Sequence, residues 1–329
     1  MTRGLVFGKF MPLHKGHQAL IRFALQHCDE LWVVLCHTAQ EPIAGNIRLQ
    51  WIKNWIAPYP KIKVIDFAYD DQVLPNSSVS DREASRLWSR AFQQHLPAFT
   101  HVFTSEAYGD YIAEYLGITH IRYDIDRLTV PVSATQIRHE PWVYWQYLAN
   151  EAKPYFVARV AIVGTESTGK STLTQRLAEY FDTVYVPEMA RHVVEETLTV
   201  TPAHLQEIAG VHARAILEKL SAANRILLAD TDLITTQSYS GFLFGEPLHT
   251  DEWIGAANRF DLYLFLEPDC PFVQDGTRLG LAERNALSDH HRRHYEACGK
   301  PVIYIKGNWE QRFQEAAEVI SRYFSGIHS

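Results

Sequence analysis

Two groups of residues in this chain have the types and spacing to handle phosphate chemistry. One is Gly164-Thr-Glu-Ser-Thr-Gly-Lys-Ser171, a complete G-x-x-x-x-G-K-S loop near the middle of the chain. In such a loop the backbone amides cradle phosphates, so Gly164, Glu166, Ser167, Thr168, Gly169 and Thr172 are expected around ATP. Lys170 reaches the β and γ groups, and the Ser171 hydroxyl joins the shell of a Mg2+ ion. The other group is Gly8-Lys-Phe-Met-Pro-Leu-His-Lys-Gly-His17. His14 and His17 flank Gly16 between an expected strand and an expected helix, where helix-start amides point at an incoming anion. Two imidazoles there could donate to an α-phosphate and to the charge that grows on its oxygens. Taken alone, an H-x-G-H is equally consistent with two surface histidines at a turn.

The elements that must position these residues alternate between short β-rich runs and helical patterns. In the first half the runs are Leu5-Val-Phe7, Leu31-Trp-Val-Val-Leu35, Lys63-Val-Ile-Asp-Phe67 and His101-Val-Phe-Thr104, with helical patterns over 17–28, 46–56, 80–95 and 109–116. A further strand is expected at His120-Ile-Arg-Tyr-Asp124. The second half repeats the style with Arg159-Val-Ala-Ile-Val163, a helix over 170–180, Thr183-Val-Tyr-Val186, Ile226-Leu-Leu-Ala229, Leu262-Tyr-Leu-Phe-Leu266 and Val302-Ile-Tyr-Ile305. Such alternation predicts βαβ units and parallel sheets. The expected architecture is α/β, with two doubly wound parallel-sheet domains over residues 1–155 and 156–329. The aromatic stretch 141–156 is expected to be a helix at the domain junction rather than a loose tether.

Other residues of the second half have side chains suited to ligand contacts. Asp230-Thr-Asp232 closes an apolar run and fits a magnesium-linked carboxylate, Asp230, with a second acid, Asp232, facing a sugar. Strand-end capping is the alternative. Trp253 could stack a cationic ring, or simply pack. His290-His-Arg-Arg-His294 invites a metal reading, which we set aside because no third ligand accompanies it. In the first half, Trp88 could stack on an acceptor base, although its helical pattern with Ala84, Leu87 and Ala91 also suits core packing.

The G-x-F-x-P-x-H formed by Gly8, Phe10, Pro12 and His14, together with Ser133-Ala-Thr-Gln-Ile-Arg138, resembles the H-x-G-H nucleotidylyltransferase superfamily. The resemblance implies that Ser133, Thr135 and Arg138 hold the ATP triphosphate, that Lys9 contacts phosphate, and that His14 and His17 stabilise the transition state. Val186-Pro-Glu-Met-Ala-Arg191 resembles the arrangement of deoxynucleoside-type kinases, which implies Glu188 as the base for a 5′-hydroxyl and Arg191 beside the substrate. A helix-start Glu paired with a nearby Arg is the alternative. Gln274-Asp-Gly-Thr-Arg278 and Arg284 resemble the arginine-bearing lid of small P-loop kinases, with a solvated basic surface as the alternative for Arg284.

Taken together, these motifs resemble the NadR family of bifunctional nicotinamide-nucleotide adenylyltransferases and ribosylnicotinamide kinases. The family implies phosphorylation of nicotinamide riboside to nicotinamide mononucleotide by the C-terminal domain, then adenylylation to NAD by the N-terminal domain, with ATP and Mg2+. Some members carry a helix-turn-helix domain at the N-terminus; here a strand begins by Leu5, and none is expected. Glu188-Met-Ala-Arg191 departs from the family's E-Y-A-R form. A different nucleoside kinase and adenylyltransferase pair, such as flavin adenylation, or a nucleotide-sensing regulator that binds ATP and NAD, are the competing readings.

Composition narrows the partners. The chain has 329 residues, 47% of them hydrophobic, and 31 basic against 38 acidic residues, for a net charge of -7. Without a basic block, binding to a nucleic-acid backbone is not expected. Four dispersed cysteines without C-x-x-C spacing read as reduced thiols. No apolar run approaches a bilayer span, and the expected location is the cytoplasm. The expected partners are small molecules, and homo-oligomerisation is left open.

Overall fold

The computed structural model describes residues 1–75, 81–194, 199–269 and 280–326. The chain divides into two compact units, Met1–Lys153 and Pro154–Ser329. In the first, the order is β1 (Arg3–Gly8), α1 (Lys15–Gln26), β2 (Glu30–His37), α2 (Gly45–Ile56), β3 (Ile62–Ala68), α3 (Arg82–His95), β4 (His101–Thr104), α4 (Gly109–Leu116), β5 (Thr119–Arg122) and α5 (Ala134–His139). A four-residue helix, α6 (Lys153–Phe156), follows. The second unit contains β6 (Ala158–Val163), α7 (Lys170–Tyr180), β7 (Tyr185–Val186), α8 (Pro202–Leu220), β8 (Ile226–Asp230), α9 (Leu233–Phe244), α10 (Glu252–Ala257), β9 (Leu262–Leu266), α11 (Leu281–Ala297), β10 (Val302–Ile305) and α12 (Trp309–Tyr323).

Each unit holds a five-stranded sheet, ordered β3-β2-β1-β4-β5 in the first and β10-β9-β6-β8-β7 in the second. Every pairing is parallel. Parallel strands need crossover connections, and the helices supply them on the sheet faces. The burial of the strands follows from this. β8 and β9 are buried at every residue, whereas the outer strand β3 alternates between covered and open positions. Full burial of a Leu, Ile or Phe side chain stabilises the fold by roughly 1.5–3 kcal/mol, so the central strands anchor each unit. In both sheets the chain reverses direction of travel beside the first strand, and the crevice at the carboxyl ends of the strands opens there. β1 and β6 lead directly into the two motif loops.

Stretch 141–156 departs from the expected single helix. It contains a 3₁₀ turn at Trp145–Tyr147 and the short α6. Between them Leu148 forms an isolated antiparallel bridge with His14, and the Ala149 amide donates to Leu13 O at 3.2 Å. Backbone groups committed to the β1–α1 loop cannot also close helical turns. Trp145, Leu148, Ala149 and Ala152 are buried, so this stretch braces the histidine loop. Among the described residues, no helix is long and apolar enough to cross a membrane, and Cys28, Cys36 and Cys298 are free thiols.

Candidate active sites

The first site is built where β1 ends. The chain turns through Phe10, at a left-handed φ of 47°, and reaches His14, the N-cap of α1. His14 Nδ1 accepts the Gly16 amide at 3.0 Å, so in the neutral ring the proton resides on Nε2. Glycine at 16 has a steric cause: a β-carbon there would stand 2.8 Å from His14 Cε1. The His14 and His17 rings lie 3.8 Å apart between centroids, and Phe10 packs on His17 at 4.9 Å. Burial lowers the pKa of His14 to about 4, and the Arg127 cation adds to the effect. Burial, then His14, then Arg127, push His17 well below its usual value. Both rings are therefore neutral near pH 7 and act as N–H donors rather than cations. His17 Nδ1 is buried without a hydrogen-bond partner among the described residues.

The downstream motif is brought to the same loop. Ser133 caps α5 in a reciprocal pair with Gln136. Arg138 donates to Met11 O through Nη1, and to Thr135 Oγ1 at 2.9 Å through Nη2. Ser133, Thr135, Arg138, His14 and His17 thus share one end of the sheet, although some 120 residues separate the two motifs. Lys9 is held differently from a free phosphate contact. Its ammonium lies 2.6 Å from Glu41 Oε1, and the other carboxylate oxygen takes Arg48. Arg48 is fully buried and also donates to Lys9 O at 2.7 Å.

Beside Gly8 and Lys9 lies a cavity of about 200 Å³, walled also by Phe7, Tyr69, Trp88 and Tyr108. Trp88 serves both the core and this wall. Its ring packs edge-on to Tyr69 at 4.8 Å and against Phe92 at 5.6 Å, and its indole N–H donates to Pro75 O at 3.1 Å. The roles of Glu41, Arg48, Tyr69 and Arg127 escape sequence reasoning because none stands in a motif.

The second site follows β6. Gly164 has φ 132°, and a β-carbon there would meet Leu266 O at 2.7 Å, so only glycine lets the loop pass the neighbouring strand. Thr165 and Thr168 are fully buried, and Lys170 Nζ donates to Thr165 O at 3.1 Å across the loop. Ser171 Oγ donates to Asp230 Oδ2 at 2.5 Å, while Asp230 Oδ1 is buried without a hydrogen-bond partner among the described residues. This pair of oxygens suits a hard cation that takes its remaining ligands from phosphates and water. Burial raises the pKa of Asp230 to about 6; Lys170 opposes the rise and Glu188 adds to it. Glu188 follows β7 and pairs with Arg191 at 2.9 Å. Glu166 accepts from the half-buried Tyr239 hydroxyl at 3.3 Å.

Two other expected residues, Asp232 and Arg284, are buried. Asp232 is buried as the N-cap of α9, where Oδ1 takes the Thr235 amide at 2.9 Å and the Tyr295 hydroxyl. Asp232 thus caps a helix start rather than the strand end, with its side chain turned into the unit. Arg284 is not a solvated basic surface residue: it is 2% exposed, and Nε donates to Glu166 O at 3.2 Å beneath the loop. Trp253 is 40% exposed on α10 and donates to Asp251 at 3.3 Å. His290 and His291 both bond Ser238 Oγ, at 3.0 and 2.7 Å. Arg278 lies outside the described residues.

Arg312 is the structural residue of this site that no motif marks. Fully buried, it donates to Thr168 O at 2.6 Å, Gly307 O at 2.8 Å and Glu267 O at 2.8 Å, and pairs with Asp269. Its guanidinium fixes the phosphate loop to the β10–α12 connection across 144 residues of sequence.

Comparison with known proteins agrees with this architecture. A family profile described as AAA domain matches residues 159–312. The trifunctional NAD biosynthesis/regulator protein NadR of Salmonella typhimurium is 32% identical over 96% of this chain and 82% of its own length. A crystal structure of NadR protein in complex with NR superposes with a TM-score of 0.77 at 20% identity, covering 98% of this chain and 96% of that one. A second, in complex with NAD and AMP-PNP, gives 0.75 at 21% identity with the same coverage. With two parallel sheets, an H-x-G-H loop on one and a phosphate loop on the other, and a third of its residues shared with a relative along nearly its whole length, the chain belongs to the NadR family.

Proposed function

We propose that this chain makes NAD in two ATP-dependent steps, one in each unit. The observation that supports this reading is the presence, in a NadR-family chain, of two different motif loops, H-x-G-H and G-x-x-x-x-G-K-S, each at the carboxyl end of a central strand of its own parallel sheet. NadR proteins have been crystallised with NR and with NAD and AMP-PNP, ligands suited to a kinase and to an adenylyltransferase. In the phosphate-loop unit, the 5′-oxygen of nicotinamide riboside attacks the γ-phosphorus of ATP. The bond to the β–γ bridging oxygen breaks, ADP leaves, and Glu188 takes the hydroxyl proton. Lys170 and the loop amides hold the transferred charge. Ser171 and Asp230 would hold Mg2+, which supplies charge neutralisation of the phosphates.

In the first unit, a phosphate oxygen of the mononucleotide attacks the α-phosphorus of a second ATP and expels pyrophosphate. No protein nucleophile is needed. His14 and His17 donate N–H bonds to the charge developing at the α-phosphate, Arg138 neutralises the leaving group, and the cavity walled by Trp88 and Tyr69 receives the acceptor's ring.

Incubation with nicotinamide riboside, ATP and Mg2+, followed by separation of mononucleotide from dinucleotide, tests both steps. Lys170→Ala should abolish riboside phosphorylation while leaving adenylylation of supplied mononucleotide intact. His17→Ala should lower adenylyl transfer by about two orders of magnitude, mainly in kcat, and let mononucleotide accumulate. Loss of both activities in folded Lys170→Ala protein would refute the assignment of one step to each unit.

A further inference from the structure

Trp309 opens α12 and is 52% exposed, yet its ring is pressed against the phosphate loop. A β-carbon on Gly169 would stand 2.0 Å from Trp309 Cζ3, so the edge of the indole touches the glycine backbone itself. The contact is held from behind. Arg312 lies 5.7 Å from the ring centroid and bonds both Thr168 O and Gly307 O, locking the β10–α12 connection to the loop. Asp269 takes the Gly307 amide at 2.7 Å, and Asn308 caps α12. On the neighbouring surface Arg176 of α7 pairs with Glu310 at 3.0 Å and covers Phe313 at 4.2 Å. A rigid aromatic surface therefore borders the loop where the exposed Ser171 and Thr172 side chains begin α7.

A nucleoside triphosphate whose β and γ groups lie on Lys170 must lead its α-phosphate and base out of the loop past these exposed residues. We infer that Trp309 stacks on the base of the phosphoryl donor, and that the kinase site selects purine over pyrimidine donors through stacking area. Every base has a π-face, so stacking discriminates by ring size more than by hydrogen-bond pattern. GTP should therefore replace ATP far better than CTP or UTP does. This inference rests on the phosphate-loop unit being a kinase, as proposed above.

The test uses the full chain carrying His17→Ala, so that mononucleotide is not consumed. For riboside phosphorylation, Trp309→Ala should raise the KM for ATP about tenfold with kcat within about threefold, and should shrink the disadvantage of CTP. Trp309→Phe should restore KM to within about threefold of the parent, because it keeps an aromatic face. A KM for ATP within twofold of the parent in Trp309→Ala overturns the inference. So does a collapse of kcat that Trp309→Phe fails to rescue, which would make the ring a packing element of the loop. If the parent makes no mononucleotide, the kinase reading fails. Stacking is then read separately as ATP-induced quenching of tryptophan emission, expected in the parent and lost in Trp309→Phe; equal quenching in both overturns it.

Discussion

At the scale of single residues, burial keeps the histidines of the first site neutral and raises the pKa of Asp230 in the second to about 6. With its pKa lowered to about 4 by burial and by Arg127, His14 stays a neutral N–H donor near pH 7; in the proposed adenylyl transfer it would meet developing charge without adding a full cation beside Arg138. The two carboxylates of the second site differ in environment. Asp230 is buried against Ser171, whereas Glu188 is the more open group and its charge adds to the rise of the Asp230 pKa. Glu188→Gln is expected to lower riboside phosphorylation by at least about a hundredfold while ATP binding persists, because the amide keeps the shape but cannot accept a proton. Asp230→Asn should instead raise the Mg2+ concentration needed for half-maximal rate. Steady-state kinetics over a Mg2+ titration separates them; a pure kcat defect in Asp230→Asn beside a near-normal Glu188→Gln would exchange the two roles.

Individual elements act here as brackets for loops. The stretch around Leu148 pins the histidine loop by backbone pairing, the α5 arginine reaches back to Met11, and Arg312 of α12 braces the phosphate loop. Truncating Arg312 would leave the buried carbonyl of Thr168 and the half-buried carbonyls of Glu267 and Gly307 without that donor, and an unsatisfied buried acceptor costs about 1–3 kcal/mol. Arg312→Ala should therefore destabilise the second unit by roughly 3 kcal/mol or more and weaken nucleotide binding there, while adenylylation in the first unit continues. Denaturant unfolding, read beside the two activity assays, checks this; an unchanged midpoint would show that the contacts contribute little.

Across the whole molecule, buried histidines couple folding to acid. His14 and His212 are displaced to about 4, His291 to about 3, and His17 well below its usual value, each chiefly through burial. The unfolded chain takes up protons on these rings near 6.5, and the folded chain does not. Their contribution is thus complete above pH 6.5 and is lost as pH falls from 6.5 toward 4. A displacement from 6.5 to about 4 is worth on the order of 3 kcal/mol, and both units contain such a ring. Asp230, raised to about 6, works in the opposite direction and offsets part of the loss. Melting temperatures should be flat from pH 7 to 8 and drop by several degrees between 6.5 and 5. The drop should be smaller when His212 or His291 is replaced by an uncharged residue of similar volume, relative to that variant's own value at pH 8.

What the amino-acid order determined by itself is the local chemistry: the G-x-x-x-x-G-K-S loop, the H-x-G-H turn, the alternation that makes parallel sheets, and the family. These are legible because loop conformation and helix starts depend on neighbours a few residues apart, where a glycine or a cap leaves a direct mark. Boundaries shifted by only a few residues: the first helix runs Lys15–Gln26 rather than 17–28, and the fifth strand ends at Arg122. Tertiary structure alone decided that Lys9 is paired with Glu41, that Arg284 is buried beneath the loop, that Asp232 caps α9, and that the stretch after Pro141 is not one helix. It also brought Trp309 and Arg312 against a loop about 140 residues earlier in the chain. Ion pairing, burial and the protonation of a ring are set by what folds against a side chain from distant segments, and no spacing within a motif records that.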